Sequence, residues 1–150
     1  MVMATLDHVT FRTGEEMFEL LRRFEDCTLP RAEWTHAAHL TVALWHLLQF
    51  DWPEACARVR EGIKRYNAAH GIVETPTGGY HETLTLFWLR TVRAYLEAER
   101  NEGRALVHLA NELAANAHRG LPLEHYTRER LFSPDARAHW VEPDLKPLPM

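Results

Sequence analysis

Three histidines and one glutamate are the residues of this chain whose types and spacing suit chemistry. His36 and His39 stand three apart in Trp34-Thr35-His36-Ala37-Ala38-His39-Leu40, and His81 precedes Glu82 in Gly78-Gly79-Tyr80-His81-Glu82-Thr83. Residues three apart on a helix share a face, so His36 and His39 can direct their rings into one volume, and a second helix can bring His81 to the same place. Both clusters fall at expected helix starts, where the positive end of the helix dipole disfavours imidazolium and keeps the rings neutral. Neutral imidazole is the form that ligates zinc, iron(II), manganese or nickel. Two or three such ligands leave open coordination positions and acidify a bound water, with Glu82 as a fourth ligand or as the general base acting on that water. The function expected first is therefore a metal-dependent enzyme acting on a small molecule, with a divalent transition metal on His36, His39 and His81 and Glu82 as catalytic base.

Two other readings compete with it. A metal-free small-molecule-binding protein would use the same histidines only as hydrogen-bond partners, and a structural or partner-binding helical module would use them to satisfy its core. The His-x-x-His pair lacks the glutamate of the HExxH helix of zinc proteases and matches no HD-type hydrolase pattern, so it names no reaction. His46 lies two turns beyond His39, ~10 Å along the helix axis, and is expected to be a hydrogen-bonded core residue rather than a ligand. Trp34, Trp45, Trp88 and Tyr95 recur at core-like spacing and read as packing. Thr85, one turn after His81, is expected to bond back to its own helix. The hydroxyls of Tyr80 and Tyr126 have the reach to line a polar cavity, and Arg128, Arg130 and Arg137 suit recognition of a carboxylate or phosphate, although on short surface helices such arginines are usually solvated or salt-bridged.

These residues need helices to position them. Thr13 and Glu16 form a capping-box pattern ahead of Met17, Leu20, Leu21 and Phe24, which predicts a helix over 14–25. Thr35 caps a second helix reaching Phe50, apolar nearly all round and hence central. Asp51, Pro53 and Glu54 open a third, with Cys56, Val59, Ile63 and Tyr66 as its inward stripe and Gly71 as its end. Residues 72–79 carry loop breakers. A fourth helix is predicted over Tyr80 to Glu102 with Gly103 as its stop, and a fifth over 104–118. At ~100° per residue the fourth helix places His81 and Thr85 in the apolar arc of Leu84, Trp88, Val92 and Tyr95, with Glu82 at its edge. The second helix groups His36, His39, Ala43, His46 and Leu47 along one side, the alanine leaving room between rings. A pocket between the second and fourth helices follows. Leu123 to Phe132 reads as a short helix, Ser133-Pro134-Asp135 starts another containing Arg137 and Trp140, and Glu142 to Pro149 favours an extended, polyproline-like path. Strand patterning is weak everywhere except near Val9. The predicted fold is all-α: one helical bundle over 1–150, of about five main helices with short C-terminal helices and a Pro-rich tail.

The chain has 150 residues, a length that buries a sizeable core in one domain without disulfides or metal staples. With 21 acidic against 17 basic residues and no basic run, nucleic acid and anionic membrane are unlike partners for it. The longest apolar stretch, Leu40 to Phe50, is too short to span a bilayer. Cys27 and Cys56 lack CxxC spacing and follow no secretory signal, so the expected setting is a reducing cytoplasm. A homodimer is the default oligomer on base rates alone.

Three segments, Trp34-Thr35-His36-Ala37-Ala38-His39, Tyr80-His81-Glu82-Thr83, and Ser133-Pro134-Asp135-Ala136-Arg137 through Pro143-Asp144-Leu145, give the chain a resemblance over most of its length. It resembles a family of short bacterial helical proteins with WxHxxH and YHET segments, for which no activity is known. The resemblance therefore implies no reaction, cofactor or site role.

Overall fold

A computed structural model describes residues 10–99 and 105–149, and within them every regular element is helical. The elements are α1 (Gly14–Glu25), a 3-10 turn (Arg31–Glu33), α2 (His36–Gln49), α3 (Trp52–Ala69), α4 (Glu82–Glu99), α5 (Leu106–Asn116), α6 (Pro122–His125), α7 (Arg128–Leu131) and α8 (Pro134–Ala138). The all-α expectation holds. No helix among the described residues is long and apolar enough to cross a membrane. The strand suggested near Val9 and the helix stop at Gly103 lie outside the described residues.

Helix starts follow from side-chain caps that satisfy otherwise unpaired amides. Thr13 accepts from the Glu16 amide, Thr35 from Ala38, and Asp51 from Glu54, each at 3.2 Å. At the end of α3, Gly71 adopts φ 73°, its amide bonds the Ala68 carbonyl at 3.2 Å, and the Ile72 amide bonds the Asn67 carbonyl at 2.8 Å. This paired closure requires the left-handed conformation that glycine adopts without strain, and Ile72 just after it lines the cavity described below.

Helix α2 is the centre of the bundle and packs on α1, α3, α4 and α5. Its Leu40, Val42, Ala43 and Leu44 are all buried, as its nearly uniform apolar surface requires. They join Met17 and Phe24 of α1, Val59 and Tyr66 of α3, Leu89 and Val92 of α4 and Leu109 and Leu113 of α5 in one core. A second cluster of Phe87, Tyr126 and Leu131 lies on the other side of α4.

Three boundaries differ from the sequence reading. Helix α4 begins at Glu82, because His81 is its cap rather than its first residue. The segment Leu123 to Phe132 is two single turns, broken where Tyr126 is extended and Thr127 starts a new cap. What holds the break is tertiary: the Tyr126 hydroxyl donates to the Val141 carbonyl at 2.7 Å, and Thr127 donates through its amide and hydroxyl to Asp144 at 2.8 and 2.7 Å. Trp140 lies beyond α8, its indole donating to Glu142 at 2.7 Å with the Arg90 guanidinium 4.4 Å from its ring centre. The proline-rich tail is irregular and strapped down by these bonds and by the Leu145 amide on the His125 carbonyl at 2.9 Å.

Candidate functional site

A cavity of about 770 Å³ opens between α2 and α4, where the two histidine clusters predicted one. Its walls come from α2 (His36, His39, Ala43), α3 (Val59, Ile63, Asn67), α4 (Leu84, Trp88, Leu89), the 72–81 connection, and the turns after α5. This volume lies in the range that holds a metabolite-sized ligand, roughly 300 to 1,000 Å³.

His36 and His39 sit on the first turns of α2, half-buried, and each commits one ring nitrogen to a backbone carbonyl. His36 Nε2 bonds the Ala117 carbonyl at 2.7 Å, and His39 Nδ1 bonds the Thr35 carbonyl at 2.7 Å. A carbonyl oxygen can only accept, so the bonded nitrogen carries the proton in each ring. Nδ1 of His36 and Nε2 of His39 are therefore the lone-pair nitrogens, and neither bonds a described residue. Trp34 stacks on His39 with ring centres 3.7 Å apart and on Phe24 at 4.6 Å, while Trp88 meets the His36 ring edge-on at 4.6 Å. Burial pushes the His39 pKa down to about 4, and the Thr35 carbonyl only partly offsets it, with His36 and Arg119 adding repulsion. His36 is lowered for the same first reason, again with Arg119 contributing. Both rings are neutral hydrogen-bond acceptors at neutral pH.

His81 has a different role from the one its spacing suggested. Its Nδ1 accepts the Leu84 amide at 3.1 Å, capping α4, and its Nε2 donates to the Leu131 carbonyl at 2.8 Å. Both ring nitrogens are consumed and the residue is 7% exposed, so it offers no lone pair to a metal. Burial lowers its pKa, consistent with a neutral cap.

Glu82 is likewise removed from the base role. Its carboxylate receives Arg60 in a fork, Nε at 2.9 Å and Nη2 at 2.7 Å, and the Tyr80 hydroxyl at 2.6 Å. Desolvation acts to raise its pKa, but the bonds from Arg60 and Tyr80 outweigh it and hold the carboxyl below its usual range. A carboxylate so engaged is a poor proton acceptor, and it does not line the cavity. Among the described residues no group of three or more His, Cys, Asp or Glu side chains is placed to hold a metal ion. The expected three-histidine centre is thus not assembled: the structure brings His36 and His39 together on one wall and sets His81 to structural work.

The remaining expectations divide similarly. His46 bonds its own helix through the Val42 carbonyl at 2.8 Å and Thr85 bonds the His81 carbonyl at 2.9 Å, as expected of both. Tyr126 secures the tail, and Arg137 donates to the Gly79 carbonyl at 3.0 Å, tying α8 to the loop before His81. Three polar wall residues went unnoticed in the sequence: Arg31, Asn67 and Arg119. Arg31 and Arg119 lie in short connections without periodicity. Asn67 did carry a signal, a polar residue four after Ile63 and eight after Val59 on the inward stripe of α3.

No family model matches the chain, and comparisons with curated proteins and with solved structures returned no match.

Proposed function

We propose that this protein binds a small organic molecule in the cavity between α2 and α4, using the neutral rings of His36 and His39 as acceptors for its hydroxyl or N–H groups. The observation that carries this reading is the pair of lone-pair nitrogens on cavity-lining rings whose other nitrogens are fixed by backbone carbonyls. Fixing the second nitrogen sets tautomer and ring orientation in advance, which lowers the ordering cost of binding. Aromatic walls from Trp34 and Trp88 supply apolar contact area on both sides.

The same lone pairs favour one further reading, a metal-dependent enzyme working from the His36 and His39 pair alone, with water or substrate completing the coordination. Elemental analysis of untagged protein separates the two. Stoichiometric metal that is lost in His39→Ala supports the metal reading. A ligand-induced rise in melting temperature that survives chelation supports metal-free binding, and at a ligand concentration of 100 times Kd it should reflect about 2.7 kcal/mol. Filling the cavity with Ala43→Leu should abolish that rise while leaving the helical circular dichroism intact; a rise unchanged in Ala43→Leu would place binding elsewhere.

A further inference from the structure

Among the described residues the charged groups of the cavity wall are all cationic, although the chain as a whole carries more acidic than basic residues, 21 against 17. The exposed Arg31 and Arg119 line the cavity, no aspartate or glutamate among the described residues does, and neither arginine forms an ion pair with a described residue. Arg119 lies near enough to both His36 and His39 to repel their protonated forms. First-turn residues of two helices line this space, His36 and His39 of α2 and Leu84 and Thr85 of α4.

Deeper in the wall, Asn67 is 9% exposed and its side-chain amide bonds no described residue. Neither of its polar atoms is among the sealed, partnerless ones, so the amide opens on the cavity. An amide open to the cavity can bond a polar group of a ligand there. Next to it the surface is apolar: Ile63 and Val59 of the same helix, and Leu89 opposite.

We propose that the ligand is an amphipathic carboxylate, its carboxylate held by Arg31 and Arg119, its apolar body between Trp34, Trp88 and Leu89, and a hydroxyl or N–H group on the imidazoles. The assignment rests on the binding function proposed above and narrows it to one chemical class. Arginine guanidinium groups pair with carboxylate and phosphate alike, and the apolar interior beneath them suits a monoanionic amphipathic carboxylate; phenyl phosphate in the test separates the two. An aromatic body and an alkyl chain share this chemistry, and the choice between them is a matter for the assay.

The test is calorimetric titration of the full chain with 4-hydroxyphenylacetate and octanoate as aromatic and aliphatic carboxylates, with 4-hydroxyphenylacetamide, tyramine and phenyl phosphate as neutral, cationic and phosphate counterparts. At least one carboxylate should bind about tenfold more tightly than the amide and the amine, the size of one charge-assisted hydrogen bond. Arg119→Gln and Arg31→Gln should together remove that preference, bringing carboxylate affinity down to that of the amide. Asn67→Leu should weaken carboxylate and amide alike. Amide, amine or phosphate binding as tightly as either carboxylate overturns the carboxylate assignment and leaves small-molecule binding standing. Carboxylate affinity unchanged in the double arginine variant overturns the assignment as well. Absence of binding by every probe overturns both proposals.

Discussion

Replacing His81 by alanine removes a cap and a buried cross-link in one step. The Leu84 amide loses its acceptor at 3.1 Å, and the Leu131 carbonyl loses its donor at 2.8 Å. Loss of a helix cap costs typically about 1 kcal/mol. Leaving a buried carbonyl without a donor adds about 1 to 3 kcal/mol, because Leu131 is 1% exposed and water reaches it poorly. The expected loss is therefore about 2 to 4 kcal/mol, seen in urea denaturation followed by circular dichroism, or as a fall in melting temperature of roughly 5 to 12 °C. His81→Asn keeps a short cap acceptor but cannot reach Leu131, so it should recover about 1 kcal/mol of that loss. His39→Ala, whose ring makes one bond within its own helix, should cost less than His81→Ala. A loss below 1 kcal/mol for His81→Ala, or one smaller than that of His39→Ala, would refute the assignment of His81 as cap and cross-link.

Glu82→Gln, measured the same way, should destabilise by about 1.5 to 3 kcal/mol, since it weakens the half-buried fork from Arg60. Tyr80→Phe should cost only about 1 kcal/mol, because the carboxylate keeps both bonds from Arg60. Acidification should lower stability. His39 has a folded pKa depressed to about 4 against an unfolded value near 6.5, so its contribution is complete above 6.5 and declines as the pH falls toward 4. The full effect is at most about 3 kcal/mol, less where solvent reaches the ring, and His39→Gln should flatten the stability profile in that window. Glu82, also depressed, adds a decline with the same sign at lower pH. Gly79→Ala should destabilise by about 2 kcal/mol or more, because φ is 84° there and a Cβ would meet the Glu74 Cα at 2.9 Å and the Val73 carbonyl oxygen at 3.0 Å. Unchanged melting of this last variant would show that the 72–79 loop relaxes freely.

The helices were legible because their signals are local. Thr13, Thr35 and Asp51 cap wherever the chain goes, and the spacing of Val59, Ile63 and Tyr66 marks an inward face before any partner is known. So too was the cavity, since a histidine pair beside Ala43 on a buried helix creates polar space in an apolar setting. The roles within it were not legible. Whether His81 ligates a metal or bonds the chain depends on Leu131, fifty residues away, and whether Glu82 accepts protons depends on Arg60 of a different helix. Helical periodicity states which way a side chain points and nothing about what meets it there. The cationic wall is tertiary for the same reason: Arg31 and Arg119 come from separate connections, and only the packing of α2 against its neighbours puts both on one cavity. Sequence alone thus determined the elements and their inward faces, through caps and periodicity. The tertiary structure alone decided which polar groups are used up and which stay free, because hydrogen-bond partners are chosen by distance in space.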